Sequence, residues 1–474
     1  MRADPHGRQL YPAVSLFLAI ALLAATSASG QEPQAPTAPA GRLGLAAVLA
    51  RVVDSNPLMR AHRLDVARAE VDLDQWQSFW SLPEIQLDSY SGVVPGARGD
   101  IFNSPDTSSD LNDLGPFFKG QIGFAVPVYG FGRLRHGTAA ARGVVDAKAS
   151  ESQRARDELS KEVIRTYWGA LSAGRAFAIA EDMRSSYDEL VEQADQKLDE
   201  GDIDPNDVWE IRAGRYDVDA VYLETRQTER LLRDALATLM GLDSGNAYEL
   251  ADDGMPEVAL TRAALPALQA AAMQRNPQLR ALASAAGALD EAMELSESNR
   301  WPLILIGGGF GFARSSARDD QKNPFAYDEF NFTRVGAALN VRWDLNFARH
   351  SVDVARRRIE RDATLARRQA LQMSIEIDVI RALEGVLKNV ELLEVVRDTR
   401  RETRRWLRSA GDDFDLGIGE AQPLIKAYRA DYRLQQEVVK REYELMVSLA
   451  ELAFVIGDLS SYLQWIADGQ VVLD

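Results

Sequence analysis

Residues 332–344 read FTRVGAALNVRWD, and apolar side chains occupy every second position of this segment, at Val335, Ala337, Leu339, Val341 and Trp343. The positions between them are polar or small. Alternation with a period of two is typical of a β-strand that buries one face. Residues 121–129, QIGFAVPVY, alternate in the same way. Both segments are therefore predicted to be strands over their full length.

Two features of these predicted strands suit a lipid bilayer. Their length is near the roughly 9–11 residues with which a tilted strand crosses an outer membrane, and aromatic residues such as Tyr129 and Trp343 lie at their ends. Strands of a soluble sandwich would alternate in the same way, so both interpretations stay open. The polar loops 93–115 and 313–331 are expected at the outer face of a membrane barrel.

The glycine-rich segment 303–312, LILIGGGFGF, allows two interpretations. A phosphate-binding loop would need a Gly-Lys-Ser/Thr sequence after the glycines, and none follows. A tightly curved strand fits better, because glycine in a strand permits bending and close approach. Together with a strand that begins near Pro83, each chain is predicted to supply four strands.

The sequence repeats itself at an offset of 216–220 residues. Asn56-Pro57 recurs as Asn276-Pro277, Pro83 as Pro302, and Gly201 as Gly417, in the same order. Each repeat is predicted to run helix, strand, loop, strand, long helix, turn, long helix. The predicted bounds are 43–241 for the first repeat, 242–266 for a Pro/Asp/Gly-rich joint, 267–457 for the second repeat, and 458–474 for a C-terminal tail.

The long helices carry a coiled-coil pattern. Apolar residues recur at intervals of four or three through the second repeat, at Ile375, Val379, Leu383, Val386, Val390 and Leu393. Such spacing predicts a helix that packs lengthwise against another helix. A soluble helical bundle would show the same seam.

The first thirty residues predict export. Residues 1–30 combine Arg2 and Arg8, an apolar run at 13–25 and a small-residue cleavage point at 28–30, as in a cleaved signal peptide. A Pro/Ala-rich stretch at 31–42 is predicted to be a flexible linker. No later segment holds 18 consecutive apolar residues, so no transmembrane helix is expected. The exported product is then expected to be soluble outside the cytoplasm or to be inserted as a β-barrel.

The composition excludes several classes of protein. The chain has 474 residues, no cysteine, four histidines and a net charge of −17. Thiolate metal sites, disulfides and a cysteine nucleophile are excluded, and no metal site, cofactor or catalytic motif is predicted. Fourteen arginines lie between Arg349 and Arg408, but ten acids are interleaved with them. We interpret this run as an ion-paired helix face rather than a nucleic-acid site, since the whole chain is acidic.

Four strands cannot close a barrel in lipid, because two strand edges would stay unpaired. Two copies would supply 8 strands and three copies 12, and only the larger barrel leaves an open lumen. The chain resembles the TolC-like outer membrane efflux protein family over the mature length, in the Asn-Pro pairs, the proline strand entries and three further segments: Val126–Arg133, Val341–Leu345 and Gly201–Asp207.

The resemblance implies a fold and a function. The fold class is an α+β membrane protein with long coiled-coil hairpins, whose four strands per chain join a trimeric 12-stranded barrel. The function is the exit duct of a tripartite efflux or type I secretion system, without enzymatic activity. Its implied partners are a periplasmic adaptor protein, an inner-membrane pump and outer-membrane lipid. The alternative is a soluble periplasmic coiled-coil scaffold, and the sequence does not separate drug, metal-ion and protein cargo.

The turns of the two long hairpins are the predicted periplasmic entrance. The family often places carboxylates six and nine residues after the second-hairpin glycine, where this chain has Pro423 and Lys426. The first hairpin has carboxylates at those offsets, so we expect any acidic gate to use its residues, Asp204 and Asp207 foremost, with Lys426 as a partner between the hairpins. The predicted gate residues are Asp202, Asp204, Asp207, Glu210, Asp412, Asp413, Asp415 and Lys426. The predicted adaptor contacts are Leu198, Gly201, Leu416 and Gly417.

Overall fold

A computed structural model describes residues 42–81, 83–99, 108–243, 248–252, 254–321, 325, 327–416 and 421–471 of the chain. The predicted signal peptide at 1–30 and all but the last residue of the predicted linker at 31–42 lie outside this range. That last residue, Arg42, is not linker, because it pairs with Glu249 in a short parallel sheet.

The strands form two sheets. The short one pairs β1 (Arg42–Leu43) with β4 (Glu249–Leu250). The long one is antiparallel and has the order β2-β3-β5-β6, with β2 at Glu84–Arg98, β3 at Ser108–Tyr129, β5 at Leu303–Ser315 and β6 at Phe332–Arg342. Each repeat thus contributes two strands of the long sheet, and β2 and β6 are its two free edges.

The register of the long sheet separates an apolar face from a small or polar face. Ile122 of β3 is opposite Phe310 of β5, which is opposite Val335 of β6. Val335 is 85% exposed in the single chain, although it lies in the middle of a strand. The next row, on the other face, consists of Gly123, Gly309 and Gly336. An apolar sheet face left open in this way fits contact with lipid.

The strands extend beyond their predicted bounds at the outer end. Residues 93–98 and 108–115 belong to β2 and β3, not to a loop, and β5 continues to Ser315. The register shifts between Pro95, which is opposite Leu114, and Gly96, which is opposite Asp110, so a bulge takes up residues 111–113 of β3. At the other end, β6 stops at Arg342 instead of Asp344.

The α-helices follow in chain order. They are α1 at Leu45–Ser55, α2 at Pro57–Ser81, α3 at Arg133–Glu200, α4 at Pro205–Leu239, α5 at Leu265–Arg275, α6 at Pro277–Ser298, α7 at Phe347–Asp415, α8 at Ala421–Ile456 and α9 at Leu459–Asp468. At 1.5 Å per residue, α3 and α7 are each about 100 Å long. Among the described residues, no helix is both long and apolar enough to cross a bilayer.

Helices begin at both Asn-Pro pairs, as predicted. Asn276 caps α6 by accepting hydrogen bonds from the backbone N–H groups of Gln278 and Leu279. A short helix that the sequence analysis did not predict precedes each pair, α1 before Asn56 and α5 before Asn276. The asparagine in each case ends one helix and starts the next, because the following proline cannot continue the earlier one.

The main core lies half-way along the long helices. The predicted seam packs there, and Ile375, Val379, Leu383, Val386 and Leu393 are all buried. The predicted C-terminal tail is not a simple tail, since α9 buries Tyr462 and Trp465 in the same core. Helices α1, α5 and α9 thus form a belt across the long helices.

The helices continue the order of the sheet. Beside the sheet, α2 packs on α3, α3 on α6, and α6 on α7. Farther away, α4 packs on α3, α3 on α8, and α8 on α7. The chain is therefore a curved single layer with two open edges. One edge consists of β2, α2 and α4, and the other of β6 and α7.

Candidate functional site at the hairpin ends

The first hairpin joins α3 to α4 by a turn that local chemistry defines. Gly201 has a φ of +82°, a conformation that side chains with a Cβ rarely adopt. Its N–H donates to the carbonyl of Leu198, and the N–H of Asp202 donates to that of Lys197. Asp204 then caps α4 by accepting the N–H of Asn206 at 2.8 Å, directly before Pro205. Each of these residues favours this turn on its own.

The acids of the first hairpin surround the start of α4. Asp202, Asp204 and Glu210 are exposed, and Asp207 lies in the first turn of the helix. Carboxylates near a helix N-terminus are stabilised by its dipole, so part of their role is structural. Their charges nevertheless lie together at the end of the molecule that is farthest from the sheet.

The second hairpin joins α7 to α8. Asp412 and Asp413 are exposed in the last turn of α7, and Leu416, which caps the helix, is 73% exposed. Gly417 and the side chain of Asp415 lie outside the described residues. The ammonium group of Lys426 donates to Oε1 of Gln422, one turn earlier on the same helix, at 3.1 Å.

Two cations connect the hairpins. The Nζ of Lys197 in α3 donates to the carbonyl of Phe414 in α7 at 2.6 Å, and lies 4.4 Å from the centre of the Phe414 ring. Arg429 in α8 forms an ion pair with Asp217 in α4 at 3.0 Å. Within one chain, these contacts and not Lys426 link the first hairpin to the second. The expected role of Lys426 between the hairpins is therefore not what the fold of one chain provides.

A second, smaller core lies beneath the turns, separate from the main core. It contains residues from all four long helices: Tyr187, Leu190, Ala194, Val208, Ile211, Val218, Ala410, Phe414, Leu424, Ile425 and Ala427. The Tyr187 hydroxyl donates to the carbonyl of Ile211 at 2.8 Å, and burial raises the pKa of this phenol. A Cβ at Gly214 would lie only 2.1 Å from the same oxygen, so glycine permits this contact.

The sequence predicts the acids of the hairpins but not the roles of Lys197, Asp217 and Arg429. Each is one charged residue among many on an amphipathic helix, and each partner lies in a different helix. The contact of Lys197 with Phe414 spans 217 residues of sequence. The repeat offset of 216–220 is the one signal that could have placed these two positions near each other.

No metal site is evident in the described ranges, which contain no group of three or more His, Asp or Glu residues arranged to hold an ion. His136 in α3 lies 2.7 Å from a carboxylate oxygen of Glu291 in α6, and this contact ties two helices together below the sheet. The hairpin ends offer charge and a surface for packing.

A family model for outer membrane efflux proteins matches residues 48–242 and 268–458. The chain belongs to the outer membrane efflux protein family. No curated protein sequence matches it. The match covers most of the chain, in two segments separated by a gap at 243–267.

Solved structures share the fold at low sequence identity. The transmembrane channel CusC is 15% identical with a TM-score of 0.69, over 90% of this chain and 98% of that one. The CmeC outer membrane channel of Campylobacter jejuni is 13% identical with a TM-score of 0.66, over 90% and 89%. The open-state MtrE outer membrane channel of Neisseria gonorrhoeae is 14% identical with a TM-score of 0.67, over 94% and 96%.

These findings confirm the fold class and the general function predicted from the sequence. This outer membrane efflux protein is an exit duct in the outer membrane and not an enzyme. The family match and the open apolar face of the sheet favour this function over a soluble periplasmic scaffold. The hairpin ends are then the end of the duct opposite the membrane.

Proposed function

We propose that three copies of this outer membrane efflux protein assemble edge to edge into one duct, whose hairpin ends form the entrance in the periplasm. The two open edges of the chain carry the proposal. β2 and β6 each leave one row of backbone N–H and C=O groups unpaired, and lipid does not satisfy such groups. Pairing β6 of one copy with β2 of the next supplies 12 strands and removes every edge.

Apolar stripes on the edge helices support the same closure. On α7, exposed apolar residues recur about every seventh position, at Val352, Ile359 and Met373, and they point away from α6. On the opposite edge, Leu64 and Val71 of α2 point away from α3. Seven-residue spacing produces a straight stripe that another helix can cover. Exposed apolar stripes of this length are unusual in a monomer.

The edge below the belt has a third stripe. Trp209, Tyr216 and Leu223 of α4 lie seven residues apart and are exposed, while Val395 and Trp406 are exposed on lower α7. Contact between α4 of one copy and α7 of the next would bring all six hairpins into one ring. The two unrelated edges meet head to tail, so the assembly closes only by rotation about one axis.

The ring of hairpins is also the proposed contact for a periplasmic adaptor protein, which would join the duct to an inner-membrane pump. The proposed contacts are half-buried Leu198, exposed Gly201 and exposed Leu416, with Gly417 next to Leu416 in the sequence. The chain would reach this location through a signal peptide at 1–30 that is cleaved on export, and its two repeats, 43–241 and 267–457, would supply one hairpin each.

A crosslinking experiment tests the closure. The chain has no cysteine, so Leu64→Cys and Met373→Cys place single reactive groups on opposite edges. We expect the double variant, treated with a short bifunctional maleimide in outer membranes, to give covalent dimers and trimers on denaturing gels. Each single variant should stay monomeric, because one edge never meets its own copy in a head-to-tail ring. Trimers absent from the double variant, or a ladder beyond trimers, would overturn the proposal.

A further inference from the structure

The upper part of α7 carries a surplus of arginine that its own chain does not neutralise. Residues 349–368 contain seven arginines and three acids. Arg357 pairs with Glu360, and Arg361 pairs with Asp290 and Asp362. Arg356, Arg358 and Arg367 are exposed, and within the described part of the chain no ion pair involves them.

The opposite edge carries the opposite charge. Residues 65–74 of α2 contain four acids and one arginine. Asp65, Glu70, Asp72 and Asp74 are all exposed, and over the described ranges none of them forms an ion pair. Solvated charges need no partner, but the two surpluses lie on the two edges that the proposed assembly brings together.

Contacts across the layer place the two charged segments near the same height. Gly137 of α3 lies directly against Trp76 of α2, and its neighbour His136 contacts Glu291 of α6. The preceding residue of α6, Asp290, binds Arg361 of α7 at 3.1 Å. Trp76 and Arg361 are therefore nearly level. At 1.5 Å per residue, Asp72 and Arg367 lie about 6 and about 9 Å from that level on the side away from the sheet, and Asp65 lies about 16 Å away on the same side. Arg356 and Arg358 lie about 8 and about 5 Å from it on the side toward the sheet, and Arg358 is nearest in height to Asp74.

Helical geometry also places the charges on matching sides. At about 100° per residue, Arg356 and Arg367 lie on one side of the apolar stripe of α7, and Arg358 lies on the other. On α2, Asp65 and Asp72 lie on one side of the Leu64–Val71 stripe, with Glu70 and Asp74 on the other. Because α2 runs toward the sheet and α7 runs away from it, the side with Arg356 and Arg367 meets the side with Asp65 and Asp72.

We propose that the arginines of upper α7 and the acids of α2 form an intermolecular seam, in which ion pairs on both sides of the apolar stripe select a second copy of this chain as the neighbour. The seam rests on the proposed ring of three copies. Apolar stripes attract any similar stripe, whereas like charges opposite each other destabilise a wrong pairing. The seam thus assigns a function to the arginine run of the sequence, which is partner choice during assembly.

Charge reversal tests the seam in purified full-length protein in detergent. Arg356→Glu with Arg367→Glu places four like charges on one side of each contact. We expect the trimer to dissociate to monomers about 5 °C lower in a heating series followed by native gels, since exposed pairs contribute about 0.2–1 kcal/mol each. This drop in the dissociation temperature should be smaller in 1 M salt, at which the screening length is about 3 Å. Asp65→Lys with Asp72→Lys should have the same effect.

The combined variants distinguish the loss of ion pairs from a nonspecific destabilisation of the protein. All four reversals together should restore most of the drop in the dissociation temperature of the trimer. Combining Arg356→Glu and Arg367→Glu with Glu70→Lys and Asp74→Lys should restore less, because those acids lie on the other side of the stripe. Lys148→Glu with Arg165→Glu is the matched control, since both cations pair only along the central helix α3.

Two outcomes separate the seam from the ring. Suppose that the wild type is a trimer. If the reversals on α7 and α2 then behave like the α3 control, or if the fourfold variant recovers no stability, the seam is overturned and the ring stays intact. A wild-type protein that is not trimeric would overturn the ring itself.

Discussion

The two hairpin ends occupy equivalent places in the two repeats, and different contacts hold the parts of them that the structure describes. The first turn is determined by Gly201, by the cap at Asp204 and by Pro205, all within five residues. The end of α7 has a backbone cap at Leu416 and receives a side-chain contact from Lys197 of the other hairpin. The first hairpin therefore contains its own determinants, and the described end of α7 receives an added contact from that hairpin.

The charged residues also differ between the two hairpins. Acids concentrate at the start of α4, while α8 has Pro423 and Lys426 at the corresponding offsets. One hairpin thus supplies both the rigid turn and most of the negative field at the entrance.

The strongest test of this division disrupts the core that both hairpins share. Gly214→Ala places a methyl group against the Tyr187 oxygen, and we expect a loss of about 1–3 kcal/mol from overpacking at this site. Hydrogen exchange should rise in both hairpins and stay unchanged in the main core. Gly174→Ala, on the same α3 helix as Tyr187 and with no atom within 4 Å of the added Cβ, is the control. Unchanged exchange near residues 187–214 would contradict the predicted clash.

A smaller effect should separate the hairpins. Lys197→Met removes the donor to the Phe414 carbonyl but keeps most of the apolar stem, and we expect a loss of about 1–2 kcal/mol, confined to the end of α7. Hydrogen exchange should increase at 407–416 and not in the turn after Gly201. Lys426→Met is the matched control, because the Lys426 ammonium donates a hydrogen bond to Gln422 of its own helix. Equal changes in both hairpins would show that neither supports the other.

The smallest structural change tests the charge at the entrance. Asp204→Asn with Asp207→Asn removes two charges per chain, and asparagine still caps α4 about as well as aspartate. Single-channel recordings should show altered conductance and weaker block by divalent cations, because the focused negative field falls. Asp412→Asn with Asp413→Asn should change the current less. Identical currents in the first variant and the wild type would eliminate Asp204 and Asp207 as the gate.

The sequence predicted the features that follow from a periodic pattern along a single strand or helix. Alternation at 332–344 identified a strand, and the spacing from Ile375 to Leu393 identified a buried seam, because both patterns depend only on which face is covered. The helices α1, α5 and α9 were missed, since each is short and lies next to a Pro or Gly boundary. The contacts of Lys197 and Arg429 depend on how four helices pack, and no local periodicity encodes that arrangement.

The row of Gly123, Gly309 and Gly336 has a consequence for the molecules that pass through the duct. On the face opposite the lipid-facing row, three of the four strands project no side chain at this depth, and Gln86 of β2 completes the row. A molecule on its way out meets only neutral groups in this row, whereas the next row on the same face carries Asp88, Gln121 and Arg334. Within the proposed barrel, contact between cargo and charge therefore falls to Asp88 and Arg334, two residues along their strands from this row.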